Sequence, residues 1–378
     1  MAPRATSAIA TAGLLLVASS FFLLAAADGS DGMRYNAMFS FGDSLSDTGN
    51  ICVNKSAAAQ LLLTFANPPY GMTYFGHPTC RCSDGRLVLD FLAQSLGLPL
   101  LPPSKRSGAD FRKGANMAIV GATSLDFDFL KSIGLGYPIW NNGALNVQLQ
   151  WFHDLLPRIC GGPPQSCKPY LARSLFVLGS IGGNDYNAML FFGFSVDRAR
   201  NYTPNVVDNI AAGVEKLIGL GAVDIVVPGQ LPIGCYALYL TMLPSASKSD
   251  YDEHGCLRPL NDLAAYHNTL LQERLAGVRA RHGSAARVMY ADLYTHAVDM
   301  LRDPARFGFT TRVTACCGAG GGPYNYEFDA RCGMKGATAC ADPWRHESWD
   351  GVHPTEAVNK LLADGWLKGP YCHPPILH

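Results

Sequence analysis

Four short blocks carry residue types that can do chemistry together. The first is Phe41-Gly42-Asp43-Ser44-Leu45-Ser46-Asp47-Thr48-Gly49-Asn50, which follows an apolar run beginning at Ala37. A strand that ends in Gly-Asp-Ser presents a serine hydroxyl on a tight turn above a sheet. Such a serine is a weak nucleophile until a histidine takes its proton, a carboxylate orients that histidine, and donors receive an oxyanion. Trp349-Asp350-Gly351-Val352-His353-Pro354 carries a carboxylate and an imidazole close enough to meet. Asp350 can hold the Nδ1 proton of His353 and leave Nε2 free to face a serine. A helix begins just after His353, and its N-terminal dipole disfavours the imidazolium and helps keep the base neutral.

Two further glycine-bearing turns could supply oxyanion donors. Gly121 closes the apolar run Asn116 to Val120, and its missing side chain would let its backbone N–H approach a substrate. Asn184, in Ile181-Gly182-Gly183-Asn184-Asp185, carries an amide that can donate. Each residue also has a plainer reading. Ser44 can cap a helix, Gly121 can simply end a strand, Asn184 can serve a turn, and Asp350 and His353 can cap a helix at the surface. Asp43 accepts turn amides and has no catalytic role in this reading.

The elements needed to bring these blocks together are legible as an alternation. Strands are expected at Ala37–Phe41, Asn116–Val120, Ser174–Gly179, Val223–Val227 and Arg287–Tyr290. Helices are expected at Arg86–Leu96, Ala144–Leu156, Asn205–Leu220, from near Asn261 to Arg281, and at Thr355–Trp366 with Pro354 in its first turn. Apolar, β-branched strands alternating with helices mean a parallel sheet covered on both faces. Ligands in such folds bind beyond the carboxyl ends of the strands, where all three glycine turns fall. The segments around residues 235–258 and 316–348 read as insertions into one domain spanning 35–372, with no internal repeat.

Composition narrows the class. Of 378 residues, 48% are hydrophobic and only 16% charged, with 30 basic against 30 acidic side chains. That is ample for a packed core, and no run of like charge offers a nucleic acid or a membrane surface a docking site. Residues 1–27 read as a signal peptide: Arg4, an apolar core from Leu14 to Leu24, and the small residues Ala25-Ala26-Ala27. The competing reading is an uncleaved anchor, because Ala8 to Ala27 could just span a bilayer. The corresponding destinations are the extracellular space or cell wall, and the Golgi lumen. Twelve cysteines, none in the leader, suit an oxidising compartment. Their spacing matches no structural zinc pattern, so disulfides are expected. Asn54-Lys55-Ser56 and Asn201-Tyr202-Thr203 are glycosylation sequons.

The blocks also carry a resemblance. Gly42 to Asn50, Gly114-Ala115-Asn116-Met117-Ala118-Ile119-Val120-Gly121-Ala122-Thr123, Gly182-Gly183-Asn184-Asp185 and Trp349 to His353 are similar to the markers of the plant GDSL esterase/lipases of the SGNH hydrolase superfamily. Pro69-Tyr70-Gly71, Arg81 to Arg86, Leu231 to Cys235 and Gly322 to Tyr326 resemble it too, so the likeness runs from roughly residue 36 to 372. It implies a three-layer α/β/α sandwich on a five-stranded parallel sheet, the flavodoxin-like SGNH arrangement. It implies Ser44 as nucleophile, His353 as base and Asp350 as its orienting acid. The N–H groups of Ser44 and Gly121 and the Asn184 amide would form the oxyanion hole, and no cofactor or metal is called for. Cys80 departs from the family, where a small residue often precedes this arginine, and a bridge from Cys80 to Cys52 is expected.

The activity so implied is hydrolysis of carboxylic esters through an acyl-enzyme on Ser44. The acyl group is expected to be short, such as acetyl, on a plant metabolite or a wall polysaccharide. Acyl transfer to another alcohol and lipolysis of longer chains are the alternatives. Tyr70, Tyr74, Phe75, Tyr186, Phe191 and Phe192 are candidates for a ring-binding rim or for core. A G-x-S-x-G elbow is absent, and His346, Glu347, Asp350 and His353 form no H-E-x-x-H, which argues against an α/β-hydrolase or a zinc protease. A monomer without a nucleic-acid or stable membrane partner is expected.

Overall fold

Strands that are apolar on both faces need cover on both faces, and the sheet is built on that requirement. The computed structural model describes residue 1 and residues 34–53 and 63–377, so the leader and the Asn54 sequon lie outside the described residues. Residues from Arg34 onward form one unit. Five parallel strands, β1 (Met38–Phe41), β2 (Gly114–Asn116), β3 (Leu175–Leu178), β4 (Asp224–Pro228) and β5 (Arg287–Ala291), pair in the order 2-1-3-4-5. Two-residue strands β6 (Cys317–Gly318) and β7 (Thr338–Ala339) form a separate antiparallel pair. A further two-residue strand, β8 (Cys372–His373), adds antiparallel to β5 at the edge of the main sheet.

Successive strand residues point to opposite sides. Phe39, Phe41, Phe176, Leu178, Ile225 and Val227 face one buried cluster, and Met38, Leu175, Val177, Val226 and Met289 face the other. Helix α1 (Val88–Ser95) covers the second side, while α2 (Leu145–Cys160) covers the first. Helix α3 (Gly183–Phe191) follows β3 directly, and α4 (Thr203–Leu220) and α5 (Arg258–His282) complete the first layer. Helices α6 (Leu293–Arg302) and α7 (Glu356–Lys368) complete the second. The result is a three-layer α/β/α sandwich. Phe152 of α2 meets Phe39, Phe41 and Phe176 at ring-centroid distances of 5.0, 5.5 and 5.7 Å, which pins α2 beneath the end of β1.

Several boundaries differ from the sequence expectation for physical reasons. The second strand ends at Asn116 rather than beginning there. Beyond it, Met117 and Ile119 N–H still donate to the Ser40 and Gly42 carbonyls at 2.7 and 3.2 Å, while the carbonyls of Asn116 and Ala118, on the other edge, accept from Asn50 Nδ2 at 2.7 and 2.9 Å. The apolar run 117–120 thus follows β1 past the regular strand, with a side chain in place of a strand on its outer edge. The turn expected at Ile181–Asp185 is the start of α3, with Asn184 in its first turn. Helix α5 begins at Arg258, a turn before Asn261, because Pro259 suits the first turn of a helix. Pro354 precedes the cap of α7 rather than sitting in its first turn; Thr355 is the cap and accepts from Val358 N–H.

Five disulfides are present: Cys52–Cys80, Cys160–Cys167, Cys235–Cys256, Cys316–Cys340 and Cys317–Cys332. The expected Cys52–Cys80 bridge is among them, tying the helical turn after Ser44 to the loop before α1. The last two fasten the 316–348 excursion, and Cys235–Cys256 closes the other. Cys82 and Cys372 are free and buried.

Candidate active site

In the strand order 2-1-3-4-5 the connections leave β1 and β3 in opposite directions, which opens a crevice beyond their carboxyl ends. Ser44 follows β1, Gly121 follows β2 and Asn184 follows β3, so all three turns meet at that crevice. His353 reaches it from the loop before α7.

The serine turn is clamped from below. Gly42 has φ +147°, and a Cβ there would lie 2.8 Å from the Ser180 carbonyl oxygen. Its N–H donates to Gln148 Oε1 at 2.8 Å, and Gln148 Nε2 donates back to its carbonyl at 2.8 Å. The buried Asp43 accepts from Leu45 N–H at 3.0 Å, and burial pushes its carboxyl up to about 7. Asp43 therefore shapes the turn, as read from the sequence. Asp47 accepts from Gly49, Asn50 and Ile51, and also from Val120 N–H at 3.0 Å. One carboxylate thereby ties the serine loop to the Gly121 loop. Ser44 itself remains half-buried and reachable.

Ser44 Oγ lies 2.8 Å from His353 Nε2, and His353 Nδ1 lies 2.7 Å from Asp350 Oδ2. The other Asp350 oxygen accepts the backbone N–H groups of Val352 and His353 at 3.0 and 2.8 Å. Trp349 N–H donates to the His353 carbonyl at 2.8 Å, which closes the loop on itself. Tyr70, buried beneath, donates its hydroxyl to Asp350 Oδ2 at 2.8 Å. Burial alone would raise the Asp350 carboxyl, but the His353 charge and the hydrogen bonds from His353 and Tyr70 outweigh it and hold the carboxyl below its ordinary range. A buried aspartate kept ionised beside an imidazole orients the ring and stabilises its protonated form.

Opposite the serine stands a set of donors. Gly121 has φ +80°, a conformation that favours glycine, and it lines the cleft. Among the described residues the backbone N–H groups of Ser44 and Gly121 have no acceptor. The Asn184 amide nitrogen donates to the Ala122 carbonyl at 3.0 Å, and Asn184 Oδ1 accepts from Asn187 Nδ2 at 2.9 Å. Tyr239 in turn donates its hydroxyl to Asn187 Oδ1. These contacts fix the Asn184 amide with its nitrogen, not its oxygen, beside the Gly121 loop. Asp185, whose carboxyl burial pushes up to about 7, accepts from Ser124 and Leu125 N–H at 2.7 and 2.9 Å and draws that loop onto α3.

Ser44, Gly121, Asn184, Asp350 and His353 line one cleft of about 440 Å³. A second recess of about 40 Å³ adjoins Ser44 on the side of Ser180, Gly183 and Tyr236. Of the aromatics singled out in the sequence, Phe191 and Phe192 line the wide cleft and are exposed, whereas Tyr70 and Tyr186 are buried and Tyr74 lies elsewhere on the surface. Asn201 is exposed at the end of a short helix, Val196–Arg200. Cys316, Cys340 and His346 cluster closely, but the two sulfurs are joined in a disulfide and offer no thiolate to a metal.

Sequence reasoning gave Gln148, Asn187 and Tyr239 no site role, and offered Tyr70 as a ring-binding rim or core residue rather than as the donor to Asp350. The partners of Tyr70, Gln148, Asn187 and Tyr239 lie 280, 106, 3 and 52 residues away, and only the Pro69-Tyr70-Gly71 block hinted at one of them.

Comparison with known proteins gives a consistent result. The GDSL-like Lipase/Acylhydrolase profile matches residues 38–366. GDSL esterase/lipase At5g45910 of Arabidopsis thaliana is 42% identical over 349 residues, covering 90% of this chain and 92% of its own. From the same plant, GDSL esterase/lipase At1g28600 is 42% identical, covering 91% of this chain and 86% of its own. GDSL esterase/lipase At1g31550 is 40% identical, covering 96% and 91%.

Proposed function

The chain belongs to the GDSL-like lipase/acylhydrolase family and is a carboxylic ester hydrolase, and from that premise we propose that it works through an acyl-enzyme on Ser44 with short-chain esters. The observation that carries the proposal is the unbroken line from Ser44 Oγ to His353 Nε2 at 2.8 Å and from His353 Nδ1 to Asp350 at 2.7 Å. Ser44 Oγ attacks the ester carbonyl carbon while its proton passes to His353 Nε2. The carbonyl oxygen becomes an oxyanion and accepts from Ser44 N–H, Gly121 N–H and the Asn184 amide. As the tetrahedral centre collapses, the carbon–oxygen bond to the alcohol breaks and His353 returns the proton to the departing oxygen. Water then adds to the acyl-enzyme by the same steps, and the acid leaves. Asp350, with Tyr70 behind it, keeps the imidazole oriented throughout.

The two spaces beside Ser44 divide the substrate. A recess of about 40 Å³ holds two or three groups the size of water, which suits an acetyl or similar acyl group. The wide cleft takes the alcohol, and its aromatic walls suit a ring, as in an acetylated plant metabolite or a sugar unit of wall polysaccharide. Export to the extracellular space is part of the same proposal. It is supported by the leader read in the sequence, by the five disulfides, and by the exposed Asn201 sequon. Among the described residues no helix is long and apolar enough to cross a membrane.

The test is hydrolysis of p-nitrophenyl esters from acetate to palmitate by the purified protein and by Ser44→Ala. Activity should be greatest with the shortest acyl groups and absent from the variant. Retained hydrolysis in Ser44→Ala would refute the nucleophile, and activity rising toward palmitate would refute the short acyl group.

A further inference from the structure

Some arginines in this molecule are paired with acids. Arg81 pairs with Asp90, Arg86 with Glu356, Arg274 with Asp208, Arg281 with Glu215 and Arg287 with Asp224. Arg331 lines the wide cleft without such a partner. Its Nε is buried with no hydrogen-bond partner, and among the described residues no carboxylate lies within ion-pair distance of its guanidinium. The one carboxylate lining the cleft, Asp350, is committed to His353 and Tyr70. The contact shown for the guanidinium is the face of the Phe328 ring, 4.8 Å away. Leaving a buried N–H unpaired costs about 1–3 kcal/mol, which a polar ligand reaching the guanidinium would offset.

The backbone that carries Arg331 is held as firmly as the serine turn. Cys332 is bridged to Cys317. Asn67 Nδ2 donates to the Gly333 carbonyl at 3.0 Å, and a Cβ at Gly333 would lie 2.4 Å from the Thr64 carbonyl oxygen. Met334 N–H donates to the Arg331 carbonyl at 3.0 Å. The guanidinium is thus mounted on a stiff loop that lines the cleft.

We infer that Arg331 determines specificity by binding a carboxylate carried on the alcohol portion of the ester. The inference rests on the proposed function, in which the acyl group occupies the small recess and the alcohol the wide cleft. A guanidinium presents a planar fork that matches a carboxylate in two parallel hydrogen bonds, and the Phe328 face holds that plane. The aromatic wall formed by Tyr137, Trp140 and Phe192 then packs the apolar part of the same alcohol. The preferred substrates are acyl esters of hydroxylated carboxylic acids, with the acid left free.

The test compares 4-acetoxybenzoate with methyl 4-acetoxybenzoate, which differ only in whether the ring carboxyl is free. The ratio of their kcat/KM values is measured for the wild type, Arg331→Met and Arg331→Lys. Comparing ratios between proteins cancels the intrinsic reactivity of each leaving group and any general damage to the site. The ratio should fall about ten- to a hundredfold in Arg331→Met, chiefly through KM of the charged ester, and less in Arg331→Lys. Added salt should lower the ratio in the wild type and leave it flat in Arg331→Met. A ratio unchanged within twofold in Arg331→Met overturns the inference, as does a salt-independent ratio in the wild type, a measurement that needs no variant to fold. Failure of the wild type to hydrolyse either ester would instead sink the hydrolytic reading itself.

Discussion

The Asn187-to-Asn184 hydrogen bond predicts a specific pattern in a double-mutant cycle. Asn184 is proposed to aim one amide N–H at the oxyanion, and only one of its two planar orientations does so. Two contacts select that orientation: the bond to Ala122 carbonyl at 3.0 Å and the bond from Asn187 at 2.9 Å. Removing the oxyanion donor with Asn184→Ala should cost about 10²–10³ in kcat. Removing the orienting bond with Asn187→Ala costs one neutral hydrogen bond, about 0.5–1.5 kcal/mol, while the Ala122 contact remains. At 1.36 kcal/mol per factor of ten, that is a loss of roughly two- to tenfold in kcat. Because Asn187 acts through Asn184, the double variant should lose no more than Asn184→Ala alone. The assay is kcat and KM for p-nitrophenyl acetate on the wild type, both single variants and the double variant. Losses that multiply in the double variant, or an Asn187→Ala effect confined to KM, would refute the orienting role.

Two further outcomes follow from buried groups. His267, beneath Gly182 and with its Nδ1 2.9 Å from the Tyr186 hydroxyl, is pushed down to about 3 by burial, against about 6.5 in an unfolded chain. Between these values the unfolded state binds the extra proton, so this residue removes stability as pH falls from about 6.5 toward 3 and has no effect above that window. Urea denaturation at pH 7 and pH 4.5 should show His267→Gln gaining on the order of 2 kcal/mol relative to the wild type at the lower pH, and an unchanged difference would contradict the assignment. Gly42→Ala should lower stability by about 1–3 kcal/mol, because its φ of +147° and the Ser180 carbonyl at 2.8 Å both exclude a Cβ; a urea midpoint equal to the wild type's would show that the turn yields.

Much of the fold was legible because burial on both faces leaves a plain signature. The runs at 38–41, 175–178, 224–228 and 287–291 are mostly apolar, and each forms a strand. The run at 117–120 carries the same signature beyond the end of β2: it still bonds to Ser40 and Gly42, but Asn50 serves its outer carbonyls, and one asparagine leaves no periodic trace. Strand β8 is two residues long, too short for any pattern to declare it. In the site, Asp350 and His353 were readable as a pair because they are neighbours in the chain. Tyr70 and Gln148 were not, because a tyrosine that donates to an aspartate 280 residues away looks in sequence like any other aromatic. Arg331 was silent for a related reason: whether an arginine is paired is a property of its surroundings, and only the fold supplies them.

Ser44 and His353 are separated by 309 positions, and that distance has a consequence for when the protein can act. A chain emerges from the ribosome amino end first, so the serine is made long before the imidazole that would activate it. Gly121 and Asn184 are already out, yet without the loop at 349–353 the hydroxyl has no base. The disulfides that fasten the excursion before that loop join cysteines from 316 to 340, so their closure also comes late. On the proposed mechanism an unfinished or truncated chain is catalytically mute, and esters met during synthesis pass it untouched.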